Sequence, residues 1–136
     1  MTAKEYLQRV RDVQAEVGQL RRLRQRAYEQ ATRATAQPSG APAHGAGDGG
    51  GLLAGYADCA AELDRAAERL LALEREVLAV IGQVPDSRYR RLLRARYVEG
   101  KKWVEVADEL GYSPSMVTKY LHPRALQCVQ DSIKFP

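Results

Sequence analysis

The chain has 136 residues, a formal net charge of +4 and few aromatics, which suits one domain, or a small domain joined to an extended helical part. No apolar run approaches the ~20 residues of a membrane span, and the charged N-terminus MTAKEYLQRVRDV lacks a signal-peptide core, so a cytoplasmic protein is expected. Cys59 and Cys128 stand far apart without a CxxC or a nearby histidine pair, so neither a disulfide framework nor a zinc site is indicated.

Abundant Ala, Leu, Arg and Glu favour helix over sheet. Charge is uneven along the chain. Residues 1–34 carry eight basic against four acidic side chains, residues 35–85 three against seven, and residues 86–136 ten against six. The acidic middle can therefore lie against the basic first segment, leaving the C-terminal third to meet a polyanion.

In the first segment, apolar residues recur at Tyr6, Val10, Val13, Val17, Leu20, Ala27, Ala31 and Ala34, with Arg24 in the one missing slot. The alternation of four and three predicts a helix with a heptad-like seam. Thr2 is a candidate cap. Residues 35–51, TAQPSGAPAHGAGDGGG, are rich in Gly, Pro and Ala and read as a flexible linker. Ser39, His44 and Asp48 lie in it, but no rigid element would hold them in catalytic register.

From Leu52 the seam resumes through Tyr56, Ala60, Leu63, Ala67, Leu70, Val77, Ile81 and Val84, with Glu74 in its single polar slot. Leu71, Leu73, Leu78 and Val80 widen the stripe, which predicts more than one packing neighbour there. Two matching seams of opposite charge predict a long antiparallel, coiled-coil-like hairpin over residues 1–84. The same seams can also pair between chains, giving a homodimer through the N-terminal helices.

Pro85 breaks the helix, and Asp86 or Ser87 can cap the next. Residues 87–98 place Tyr89, Leu92, Leu93, Tyr97 and Val98 on one side and arginines on the other. Gly100 ends this helix, and Trp103 reads as a core plug. Residues 103–121, WVEVADELGYSPSMVTKYL, then read as two short helices joined by a tight turn. Val106, Ala107 and Leu110 share a face. Gly111 supplies the left-handed residue that ends the helix. Ser113 is a good N-cap, and Pro114 suits the first helical position. Val117, Tyr120 and Leu121 can fold back onto Val106, Ala107 and Leu110. Ala107, being small, allows the closest approach. This is the spacing of a helix-turn-helix, whose second helix can enter a major groove. With the preceding helix it predicts a C-terminal trihelical domain over residues 86–130. Pro123 either stops the second helix near His122 or kinks it, and residues 131–136 read as a frayed tail. The fold class expected is all-α.

Residues 92–126, LLRARYVEGKKWVEVADELGYSPSMVTKYLHPRAL, resemble the C-terminal DNA-binding region of bacterial sigma factors, the region 4 type. The likeness lies in the LRxRY helix, the helix running to Leu-Gly, the Ser-capped turn and the trailing Arg-Ala-Leu. The whole chain, with KEYLQRVR and the glycine-rich gap, is similar to sigma-like late-gene activators of phages and prophages of Gram-positive bacteria, the ArpU and RinA type. The resemblance implies that Ser113, Ser115, Met116, Thr118 and Lys119 face DNA and that Val106, Ala107, Leu110, Val117 and Tyr120 are core. It also implies a bacterial host cell as the setting and suggests RNA polymerase as a further partner. One departure bears on specificity. Where sigma factors carry an Arg-Glu-Arg-like run after the turn serine, this chain has Pro114, Ser115 and Met116, so an arginine bidentate to guanine is missing there.

The residue chemistry leads the same way. Ser115, Thr118 and Lys119 can reach base edges, and Met116 can contact a thymine methyl. Arg88, Arg91, Arg94, Lys101, Lys102 and Arg124, with the cap Ser113, are the expected phosphate contacts, which set position and not sequence. The function expected is a sequence-specific regulator of transcription that binds double-stranded DNA. The competing expectations are a DNA-packaging protein like a phage terminase small subunit and a helical adaptor without nucleic-acid binding. No enzyme is expected, and no cofactor or metal, because no phosphate-binding glycine loop, metal cluster or nucleophile-base pair on rigid structure is present.

Overall fold

A computed structural model describes residues 1–36 and 45–133, apart from the side chains of residues 34–36 and 45–50. Every regular element among the described residues is helical. Helix α1 is Ala3–Ala36 and α2 is Gly45–Gly82. Helix α3, Ser87–Leu93, runs on into a π-helical turn, Arg94–Val98. Helix α4 is Trp103–Leu110. Helix α5, Pro114–Met116, passes through a second π turn, Val117–Leu121, into α6, His122–Ser132. None of the described helices is long and apolar enough to cross a membrane.

The expected linker is shorter than its composition suggests. Helix α1 continues to Ala36, and α2 begins at Gly45 rather than Leu52. Once a helix is nucleated, each further residue adds a hydrogen bond, so poor helix formers can be carried along at its end. Ser39 and His44 fall outside the described residues, as does the side chain of Asp48.

Two compact units divide the chain, and the division does not fall at Pro85. One comprises Met1–Gln14 and Leu70–Pro136, the other Ala15–Arg69. The first unit contains the expected trihelical region, but it also takes in the start of α1 and the end of α2. Ala3, Tyr6, Leu7 and Val10 from α1 and Val77, Ile81 and Val84 from α2 share one core with Leu92, Leu93, Tyr97, Val106, Ala107, Val117, Leu121, Ala125 and Val129. Three short helices bury too little surface alone, and these two helix ends close the core.

Local signals explain the element boundaries in this unit. Thr2 and Glu5 form a reciprocal capping box. The Glu5 N–H donates to Thr2 Oγ1 at 3.2 Å, and the Thr2 N–H donates to Glu5 Oε2 at 3.1 Å. The Ala3 N–H donates to Gln130 Oε1, tying α1 to α6. Asp86 caps α3 by accepting from the Arg88 N–H at 2.8 Å. Arg90 donates to the carbonyls of Val84 and Pro85, in the link between α2 and α3. Gly100 and Gly111 take positive φ, 72° and 77°. After Gly111, the Tyr112 N–H returns to the Ala107 carbonyl at 3.0 Å and closes α4.

Pro123 neither stops nor breaks the last helix. The backbone stays right-handed helical from Val117 through His122. The π turn just before the proline shifts the hydrogen-bond register by one residue, with the His122 N–H returning to Val117. That is how a helix can accommodate an interior proline. The extra residue also rotates the side chains. Val117, Leu121 and His122 are buried, whereas Tyr120, expected in the core, is 53% exposed. Leu71 and Leu78, expected to widen the α2 stripe, are exposed as well, while Leu73 and Val80 pack against the core. Of the expected tail 131–136, residues 134–136 lie outside the described residues. Helix α6 reaches Ser132, and Ile133 packs against the core.

In the second unit, segments of α1 and α2 run antiparallel. Arg69 pairs with Glu16 at 3.1 Å, and the rings of Tyr28 and Tyr56 lie 5.7 Å apart. Val17, Leu20, Ala31, Leu63 and Ala66 are buried between them.

Candidate nucleic-acid interface

The candidate surface is built on the rod of residues 114–132. Ser113 stands in extended backbone, and its Oγ accepts from the Met116 N–H at 3.1 Å. Pro114 then occupies the first turn, where its missing N–H costs nothing. Val117 and Leu121 anchor the rod against Val106 and Ala107. Behind it, His122 is buried at 9% exposure, with its Nε2 2.7 Å from the Tyr97 hydroxyl. The His122 ring also lies 4.5 Å from that of Trp103, and the Arg96 guanidinium covers Trp103 from 4.3 Å. Burial, then the charges of Lys4 and Arg96, pull the imidazole down to about 4. Burial pushes the Tyr97 phenol up to about 12. Both are therefore neutral at pH 7, and the pair is a structural brace.

Ser115, Met116 and Lys119 are exposed on the outward face of the rod, with Tyr120 and Arg124 beside them. Thr118 does not join them. It is half-buried, its hydroxyl donates to the Pro114 carbonyl at 3.0 Å, and it lines a pocket on the inner side of the rod. Of the four expected base readers, three share a surface and the fourth is turned away.

The expected phosphate contacts separate into two groups. Lys102 and Arg124 are exposed, and Arg94 is half-buried. Ser113 is exposed and keeps its hydroxyl hydrogen for a further acceptor. The other three side chains are engaged within the protein. Lys101 pairs with Glu109 at 2.8 Å and Glu99 at 3.2 Å, so its charge is offset in place. Arg88 pairs with Asp86 at 2.9 Å and reaches the Tyr112 hydroxyl. Arg91 donates to the Glu109 carbonyl at the end of α4, where a cation also meets the negative end of the helix dipole. Arg96 donates to the Lys101 carbonyl and stacks on Trp103.

Sequence reasoning placed Tyr120 in the core and gave His122 no role. The only signal was Pro123. A proline inside a helical pattern calls for a local change of register, and that change exposes one residue and buries the other. The described residues contain no group of three or more His, Cys, Asp or Glu able to hold a metal ion.

No protein-family model matches the chain, and no curated protein or solved structure is detectably similar to it.

Proposed function

We propose that this chain is a sequence-specific double-stranded DNA-binding regulator of transcription, of the phage or prophage type, that reads the major groove with the face of the rod carrying Ser115, Met116 and Lys119. One observation carries the reading. A serine-capped, proline-started rod is held from behind by Val117 and Leu121, while those three side chains face outward. Lysine can donate to guanine O6 and N7, serine can serve several bases, and methionine offers an apolar contact for a thymine methyl. Lys102, Arg124 and Ser113 are the phosphate contacts best placed to fix the register. The sequence likeness to sigma-factor region 4 supports the same groove and the same helix, and RNA polymerase remains a proposed partner on that ground alone.

Selection of bound duplexes from a random pool tests this. Enrichment of a defined motif is expected, and Lys119→Ala with Met116→Ala should erase the preference while the helical spectrum stays unchanged. A pool that stays random at low salt removes the regulator reading.

A further inference from the structure

The inner side of the rod carries a feature that base reading does not use. A pocket of about 150 Å³ lies between the start of α1 and the second π turn. It is lined by Lys4 and Gln8 of α1, Arg96 and Tyr97 of the first π turn, Trp103 of α4, and Thr118 and His122 of the rod. No carboxylate lines it. Lys4 and Arg96 make no ion pair among the described residues, unlike Arg9, Arg88 and Lys101 in the same unit. Arg11 adds a third positive charge, because its guanidinium donates to the Arg96 carbonyl.

Cations gathered without a counter-ion repel one another, and partial burial strengthens the effect. The arrangement carries that cost. Arg96 is held below its ordinary range by burial and then by Arg11. An oxyanion in the pocket would offset all of this and accept charge-assisted hydrogen bonds. We propose that this pocket binds a small oxyanion, a phosphate or a carboxylate, between Lys4 and Arg96. The N–H groups of Arg96 not engaged with Lys101 are its principal donors, and Gln8 keeps one amide N–H after its bond to Asp12. Thr118 has given its proton to Pro114 and can accept one from a singly protonated phosphate. The pocket, about 150 Å³ and open on one side, suits inorganic phosphate, a short carboxylate or one phosphate group of a larger molecule. The anion is either a free small molecule or a phosphodiester of bound DNA.

Trp103 is the sole tryptophan of the chain, so its emission reports on this pocket. The full chain is titrated with sodium phosphate and then acetate, with ionic strength held constant by chloride. A saturable change in emission is expected, with affinity weakened roughly tenfold or more in Lys4→Gln and in Arg96→Gln, the scale of one lost charged hydrogen bond. Lys4 is exposed, so its variant preserves the test if Arg96→Gln unfolds. The proposal is overturned if chloride alone reproduces the change, or if folded Lys4→Gln binds phosphate as tightly as the parent. A duplex arm identifies the source. Competition between phosphate and duplex beyond that of chloride assigns the seat to a DNA phosphate, and duplex affinity indifferent to phosphate assigns it to a free anion. Failure of duplex binding would remove the regulator reading and leave the phosphate titration standing.

Discussion

Tyr97 and His122 share a buried hydrogen bond, Oη to Nε2 at 2.7 Å, that joins the first π turn to the start of α6. Because burial and nearby positive charge disfavour the imidazolium, the folded protein binds its proton only near pH 4, against 6.5 for the free side chain. Between those values the unfolded chain holds more protons, so stability is fully present above pH 6.5 and falls as pH drops towards 4. Unfolding free energies from chemical denaturation should therefore decline across this window, by on the order of 3 kcal/mol in total. A His122→Gln variant should be less stable at pH 7 and show a flatter decline. The same slope in that variant would place the titration elsewhere.

The turn between α4 and α5 depends on Gly111 at φ 77°. A Cβ there would meet nothing within contact distance, so the cost of a side chain is purely conformational. Gly111→Ala should destabilise by ~1–2 kcal/mol, the penalty of a left-handed alanine. Urea unfolding measures it, and an unchanged midpoint would mean that the turn relaxes without loss.

Leu7 is fully buried in the core of the C-terminal helices despite its place near the N-terminus. Leu7→Ala should cost about 2–5 kcal/mol. The isolated fragment of residues 86–136 should fail to give a cooperative thermal transition. A fragment that melts sharply would restore Pro85 as a true domain boundary.

Salt dependence of duplex binding separates the free cations from the engaged ones. Lys102→Ala and Arg124→Ala should each reduce the slope of log affinity against log salt by about 0.9. Lys101→Ala should leave it nearly unchanged, because Glu99 and Glu109 already offset that charge. Equal effects from all three would show that the Lys101 pairs open on binding.

Met116 and Tyr120 are apolar side chains left exposed on the outward face of the rod. Tyr120→Ala should change stability by less than about 0.5 kcal/mol, as surface substitutions do, yet weaken duplex binding. A large loss of stability by calorimetry would return Tyr120 to the core.

Much of this protein follows from local chemistry that a sequence displays directly. Seam spacing marks the two long helices. The Gly111, Ser113 and Pro114 run marks the turn, because left-handed backbone, a capping hydroxyl and a dispensable N–H each favour one residue type. Val106, Ala107, Val117 and Leu121 are buried as that pattern requires. Tertiary packing decided what local chemistry leaves open. Helical spacing assumes a constant register, and the π turn before Pro123 breaks that assumption, turning Tyr120 outward and His122 inward. Whether Lys101 or Lys102 keeps a free charge depends on carboxylates brought close by the fold, and no linear pattern encodes that distance. The unit boundary inside α1 and α2 has the same origin. A core forms wherever apolar surface can be closed against water, and three short helices here needed the ends of two long ones to close it.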